Sequence, residues 1–92
     1  QRFKRTYDLR VPARTLTAIL SEVSAPRSFE LLSLDTEGYE VHALRGLDFD
    51  RYRPEYILIE QNNAADVHAV LSDRYEMIDQ LSERDALYRI KR

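Results

Sequence analysis

The chain predicts an α/β fold in which parallel strands alternate with helices and an antiparallel hairpin closes the sheet. Three observations carry this. The runs Phe29–Leu34 and Tyr56–Ile59 place apolar residues on both faces of a strand, as in sheets covered by helices. Helical stripes alternate with those runs, which implies parallel pairing through right-handed crossovers. The last two strand patterns, Tyr75–Leu81 and Ala86–Ile90, are joined only by Ser82-Glu83-Arg84-Asp85, too short for a crossover but suited to a hairpin.

In chain order, Gln1–Arg5 is basic and irregular and reads as a frayed terminus, with an anion contact as the functional alternative. Thr6–Val11 alternates weakly, as a short strand would, and Pro12 closes it. Thr15 is an N-cap for a helix whose stripe is Leu16, Ile19, Leu20 and Val23. Ala25-Pro26 ends that helix. The first buried strand follows and stops at Asp35. Asp35-Thr36-Glu37-Gly38 then turns into a short helix, Tyr39–Arg45, with Val41 and Leu44 inward and Gly46 as a left-handed C-cap. After a loop rich in Asp and Arg, Pro54 introduces the second buried strand, Glu55–Glu60. Asn62 or Asn63 caps a third helix, Ala64–Arg74, with the stripe Val67, Val70 and Leu71.

The totals bound the function classes. A chain of 92 residues is one small domain. Charged residues make up 33% of it but the net charge is −2, so nothing favours nucleic acid. Cysteine is absent, which excludes disulfides and thiolate metal sites and gives no sign of secretion. No apolar run has the length of a membrane span and no signal peptide is visible, so the expected location is cytoplasmic. A first residue of Gln rather than Met reads as a piece of a longer protein.

Because the two buried strands run the same way, Asp35-Thr36-Glu37-Gly38 and Glu60-Gln61-Asn62-Asn63 end at one edge of the sheet and face one crevice, where open α/β sheets place ligands. Gly38 is one of only two glycines, and its place in an acidic turn suggests a position that a side chain would obstruct. Asp35, Glu37 and Glu40 admit three readings. They are helix N-terminal carboxylates, each worth roughly 0.3–1 kcal/mol against the macrodipole. Alternatively, Asp35 is a general base or orients a substrate. The third reading has Asp35, Glu37 and Glu60 hold a divalent cation through oxygen. A phosphate is disfavoured, since three carboxylates would repel it and no Lys or Arg accompanies the glycine. His42 and His68 read as partly exposed helix residues rather than ligands, Tyr39 as packing or crevice lining, and Arg51, Arg53, Arg84, Arg89 and Arg92 as solvated surface.

Leu31-Leu32-Ser33-Leu34-Asp35-Thr36-Glu37-Gly38-Tyr39-Glu40, followed by Leu44-Arg45-Gly46, resembles the signature of FkbM-family methyltransferases. That signature is an apolar strand, Asp-x-Glu-Gly-x-Glu, and a short helix ending in Leu-x-Gly. Thr15-Leu16, Arg53-Pro54 before a strand ending in Glu60, and Leu87-Tyr88-Arg89 have family counterparts in the same order. The resemblance implies a Rossmann-like class I, S-adenosylmethionine-dependent methyltransferase, often O-methylating small metabolites or sugars. It implies that Asp35 and Glu37 are catalytic and face a small-molecule methyl acceptor, with Gly38, Glu60 and Asn62 in the same substrate crevice.

Such enzymes hold the cofactor on a glycine-rich turn after their first strand. Here Gly38 and Gly46 are the only glycines, so residues 1–92 read as a single domain that is the C-terminal half of a methyltransferase domain. The expectation is that this half does not bind S-adenosylmethionine tightly. A non-catalytic interaction module on the same scaffold is the alternative. In the family's strand order Phe29–Leu34 would lose its neighbour, so the chain is expected to self-associate or to fold Thr6–Val11 back along that edge.

Overall fold

The computed structural model describes the backbone of residues 6–10 and the whole of residues 15–35 and 38–92. Five strands and three helices alternate in the order β1 (Thr6–Arg10), α1 (Leu16–Glu22), β2 (Ser28–Asp35), α2 (Glu40–Arg45), β3 (Arg53–Glu60), α3 (Ala64–Leu71), β4 (Tyr75–Gln80) and β5 (Asp85–Ile90). The strands form one mixed sheet in the order β1-β2-β3-β5-β4. β1, β2 and β3 pair in parallel, while β5 runs antiparallel to both β3 and β4.

The fold-back expected along the edge of β2 is present over Thr6–Arg10. β1 lies along β2 with Thr6 opposite Leu31 and Arg10 opposite Asp35. On the other side of β2, Leu31 faces Tyr56 and Leu34 faces Ile59. Pairing on both edges satisfies the backbone of the central strand, which an open edge would leave to water or to another chain.

The core lies on one face of the sheet. Leu16 and Leu20 of α1, Ala43 and Leu44 of α2, and Val67 and Leu71 of α3 share one buried cluster with Leu32, Leu34, Ile57, Ile59, Ala86 and Tyr88. Phe29 joins that cluster although simple alternation would put it on the face of Leu31. The second face carries Leu31, Tyr56, Leu58 and Leu87 by the alternation of the pleat. No described helix contributes buried apolar residues there.

Most elements form where the sequence places them. Thr15 caps α1, its Oγ1 accepting the Ala18 amide at 3.1 Å. Asn63 caps α3 through Asp66 N. The β4–β5 turn is held by Ser82 Oγ, which accepts from the amides of Arg84 and Asp85 and donates to Asp85 Oδ2. Several details differ. β3 begins at Arg53 and takes Pro54 into the ladder opposite Phe29, and α3 stops at Leu71 rather than Arg74. Val23 lies beyond the end of α1 and is exposed, and Val41 is only partly buried because α2 turns Glu40, Ala43 and Leu44 inward. Gly46 is not left-handed. Its φ is −86°, and its small size is used elsewhere, since a Cβ would stand 3.3 Å from Thr15 Cβ. The close approach lets Thr17 reach Gly46 O with both its amide and its Oγ1.

Candidate active site

β2 and β3 each end in a carboxylate at the same edge of the sheet. Leu34 and Ile59 are partners, so Asp35 and Glu60 are the next residues on parallel neighbours. The row extends both ways, since Arg10 is opposite Asp35 and Glu60 is opposite Asp85. The pleat puts Asp35 and Glu60 on the face that carries Leu31 and Tyr56. Both are half-buried. Arg84 approaches Glu60 at 3.9 Å, and a shallow depression of about 410 Å³ lined by Glu60, Ser82, Glu83, Arg84 and Asp85 opens beside it.

The turn after β2 includes Gly38, whose φ of +102° is one that side chains rarely adopt. No atom lies within 4 Å of the place a Cβ would take. Glycine is therefore favoured here by the backbone conformation and not by lack of space for a side chain. Tyr39 is exposed rather than packed in the core, because the turn carries it outward before α2 begins.

The turn after β3 is anchored by buried hydrogen bonds. Gln61 is buried, its amide donating to Arg84 O at 2.8 Å and its Oε1 accepting the Tyr88 hydroxyl at 3.0 Å. Burial pushes the Tyr88 phenol up from its ordinary pKa. The Asn62 side chain is exposed, but its amide donates to Glu40 Oε1 at 2.5 Å, and Glu40 is itself only 1% accessible. One buried carboxylate at the start of α2 thus ties that helix to the turn after β3.

Of the residues read from sequence as the site, Asp35 and Glu60 end adjacent strands, and Gly38 and Asn62 lie on the turns that follow them at one edge. Glu37 and Thr36 lie outside the described residues, as do Gln1–Arg5, Val11 and Pro12. Among the described residues no three His, Cys, Asp or Glu are grouped to hold a metal ion, and the cation reading needs Glu37. His42 and His68 are exposed on their helices. Sequence reasoning missed Glu40 as a buried tie and Gln61–Tyr88 as a buried pair. The one available signal was the second glutamate of Asp-x-Glu-Gly-x-Glu.

A model of the methyltransferase FkbM domain matches residues 2–90. The chain belongs to the FkbM methyltransferase family. Comparison with curated proteins and with solved structures returned no significant match. Among the described residues no helix is long and apolar enough to cross a membrane.

Proposed function

We propose that this chain is the acceptor-side, C-terminal part of a Rossmann-like S-adenosylmethionine-dependent methyltransferase, acting on a hydroxyl of a small metabolite or sugar. The observation that carries the reading is the level placement of Asp35 and Glu60 at the carboxyl ends of adjacent parallel strands, in a chain matched by an FkbM domain model. In this reading Asp35, with Glu37, orients the acceptor hydroxyl and takes its proton. Glu60 and the Asn62 turn form the opposite wall, and Gly38 lets the acceptor approach the backbone.

The residues present do not fit the cofactor itself. Gly46 is filled by contact with Thr15 and Ala43 O, and Gly38 belongs to the acidic turn. Neither forms the glycine-rich cradle that holds a nucleotide cofactor after a first strand. Carboxylates at this edge could attract a cation, but an exposed pair is worth only about 0–1 kcal/mol. Micromolar affinity requires about 8 kcal/mol.

The test is calorimetric titration of S-adenosylmethionine into this 92-residue chain and into the complete gene product. The expected result is saturable micromolar binding by the complete product and none by the chain alone. Binding by the chain below about 10 µM would show that it holds a cofactor site of its own. Absence of binding by the complete product would favour a non-catalytic module.

A further inference from the structure

Glu40 is the only charged side chain that is fully buried among the described residues. A carboxylate is costly to remove from water unless it is hydrogen-bonded. Favouring a helix N-terminus does not require burial, because an exposed carboxylate in the first turn interacts with the macrodipole as well. The bond to Asn62 N leads away from α2 and into the turn after β3. Glu60 directly precedes that turn as the last residue of β3, and Asp35 is the last residue of the neighbouring β2. A charge-assisted bond from a backbone amide is stronger than a neutral one and fixes the distance between two chain segments rather than two mobile side chains. Gln61 and Tyr88 hold the β3 turn to β5 from behind, so Glu40 has a fixed partner to pull against.

We propose that Glu40 is a positioning residue, which ties the start of α2 to the turn after β3 and so holds the Asn62 wall of the crevice in place beside the strand ends that carry Asp35 and Glu60. The proposal rests on the reading of that crevice as the acceptor site. It assigns Glu40 no contact with the acceptor.

Amide hydrogen exchange by NMR, with thermal melts, tests it in wild type, Glu40→Gln and Glu40→Ala. In Glu40→Ala the Asn62 amide should exchange about 10- to 100-fold faster. The amides of Gln61 and Asn63, on either side of it, should follow, while those of Leu32 and Ile57 change no more than the melt explains. Glu40→Gln keeps an acceptor oxygen and should recover part of the protection even if the alanine variant does not fold. In the complete product both variants should lower kcat and leave KM for S-adenosylmethionine unchanged. A uniform rise in exchange matching the melt, or an unchanged Asn62 amide, would overturn the assignment. Normal turnover in Asp35→Asn would instead remove the acceptor-site reading, whatever the exchange pattern.

Discussion

The Tyr88 hydroxyl donates to Gln61 Oε1 at 3.0 Å, with both residues buried where β5 backs the turn after β3. Tyr88→Phe removes the donor and leaves a buried amide oxygen without it. The expected cost is about 1–3 kcal/mol, the penalty for an unsatisfied buried acceptor. Urea denaturation should show a lower midpoint at unchanged slope, the mark of a stability change without a change in the denatured state.

Tyr75 sets a limit at alkaline pH. Its hydroxyl is buried and donates to Pro54 O at 2.5 Å, and burial pushes its pKa far above the ordinary value, against the opposing effect of Arg53 and Arg74. Tyr88 is shifted the same way. In the unfolded chain a tyrosine ionises near pH 10, as an exposed phenol does. Below that pH both states are protonated and the full stability is present. Above it the unfolded state loses protons that the folded state keeps, so stability falls as pH rises. Melting temperature should therefore decline above about pH 10, and Tyr75→Phe should flatten part of that decline.

The two glycines should respond differently to alanine. Gly38 has φ +102°, so Gly38→Ala forces a side chain into a strained conformation although the space is empty. The expected loss is about 1–3 kcal/mol. At Gly46 the backbone is ordinary and the difficulty is contact at 3.3 Å with Thr15 Cβ and 3.4 Å with Ala43 O. A shift of a few tenths of an ångström relieves it, and the reduced freedom of the unfolded chain offsets about 0.4–1 kcal/mol. Gly46→Ala should thus cost less than Gly38→Ala, which paired thermal melts would check.

The layout of the sheet was legible in the sequence because β2 and β3 have apolar residues at consecutive positions and polar turns at their ends. Their parallel register then brings Asp35 level with Glu60, as the alternation of strands and helices implied. Cap residues were legible where a side chain does the capping, at Thr15 and Asn63. The inward face of α2 was legible only in part: Leu44 is buried as expected and Val41 packs partly buried against the core, but Glu40 and Ala43 were not foreseen. A helix of only 6 residues has too few turns to show a stripe, and Glu40, a charged residue, takes a core position by bonding outside its own helix. The role of Gly46 was misread for a related reason. Its position after a helix suits a left-handed cap, but the packing of α1 against it, at a sequence distance no local rule covers, decides its conformation.

The central claim is that Asp35 works on the acceptor rather than merely favouring the start of α2. It is tested most directly by the turnover of Asp35→Asn in the complete product, followed as transfer of labelled methyl from S-adenosylmethionine to hydroxyl-bearing metabolites and sugars, with melting temperature measured alongside. Loss of a general base lowers the rate by roughly 10²–10⁴-fold, and the account predicts such a fall with little change in melting temperature. Wild-type turnover in the variant, with or without a large fall in melting temperature, would contradict it.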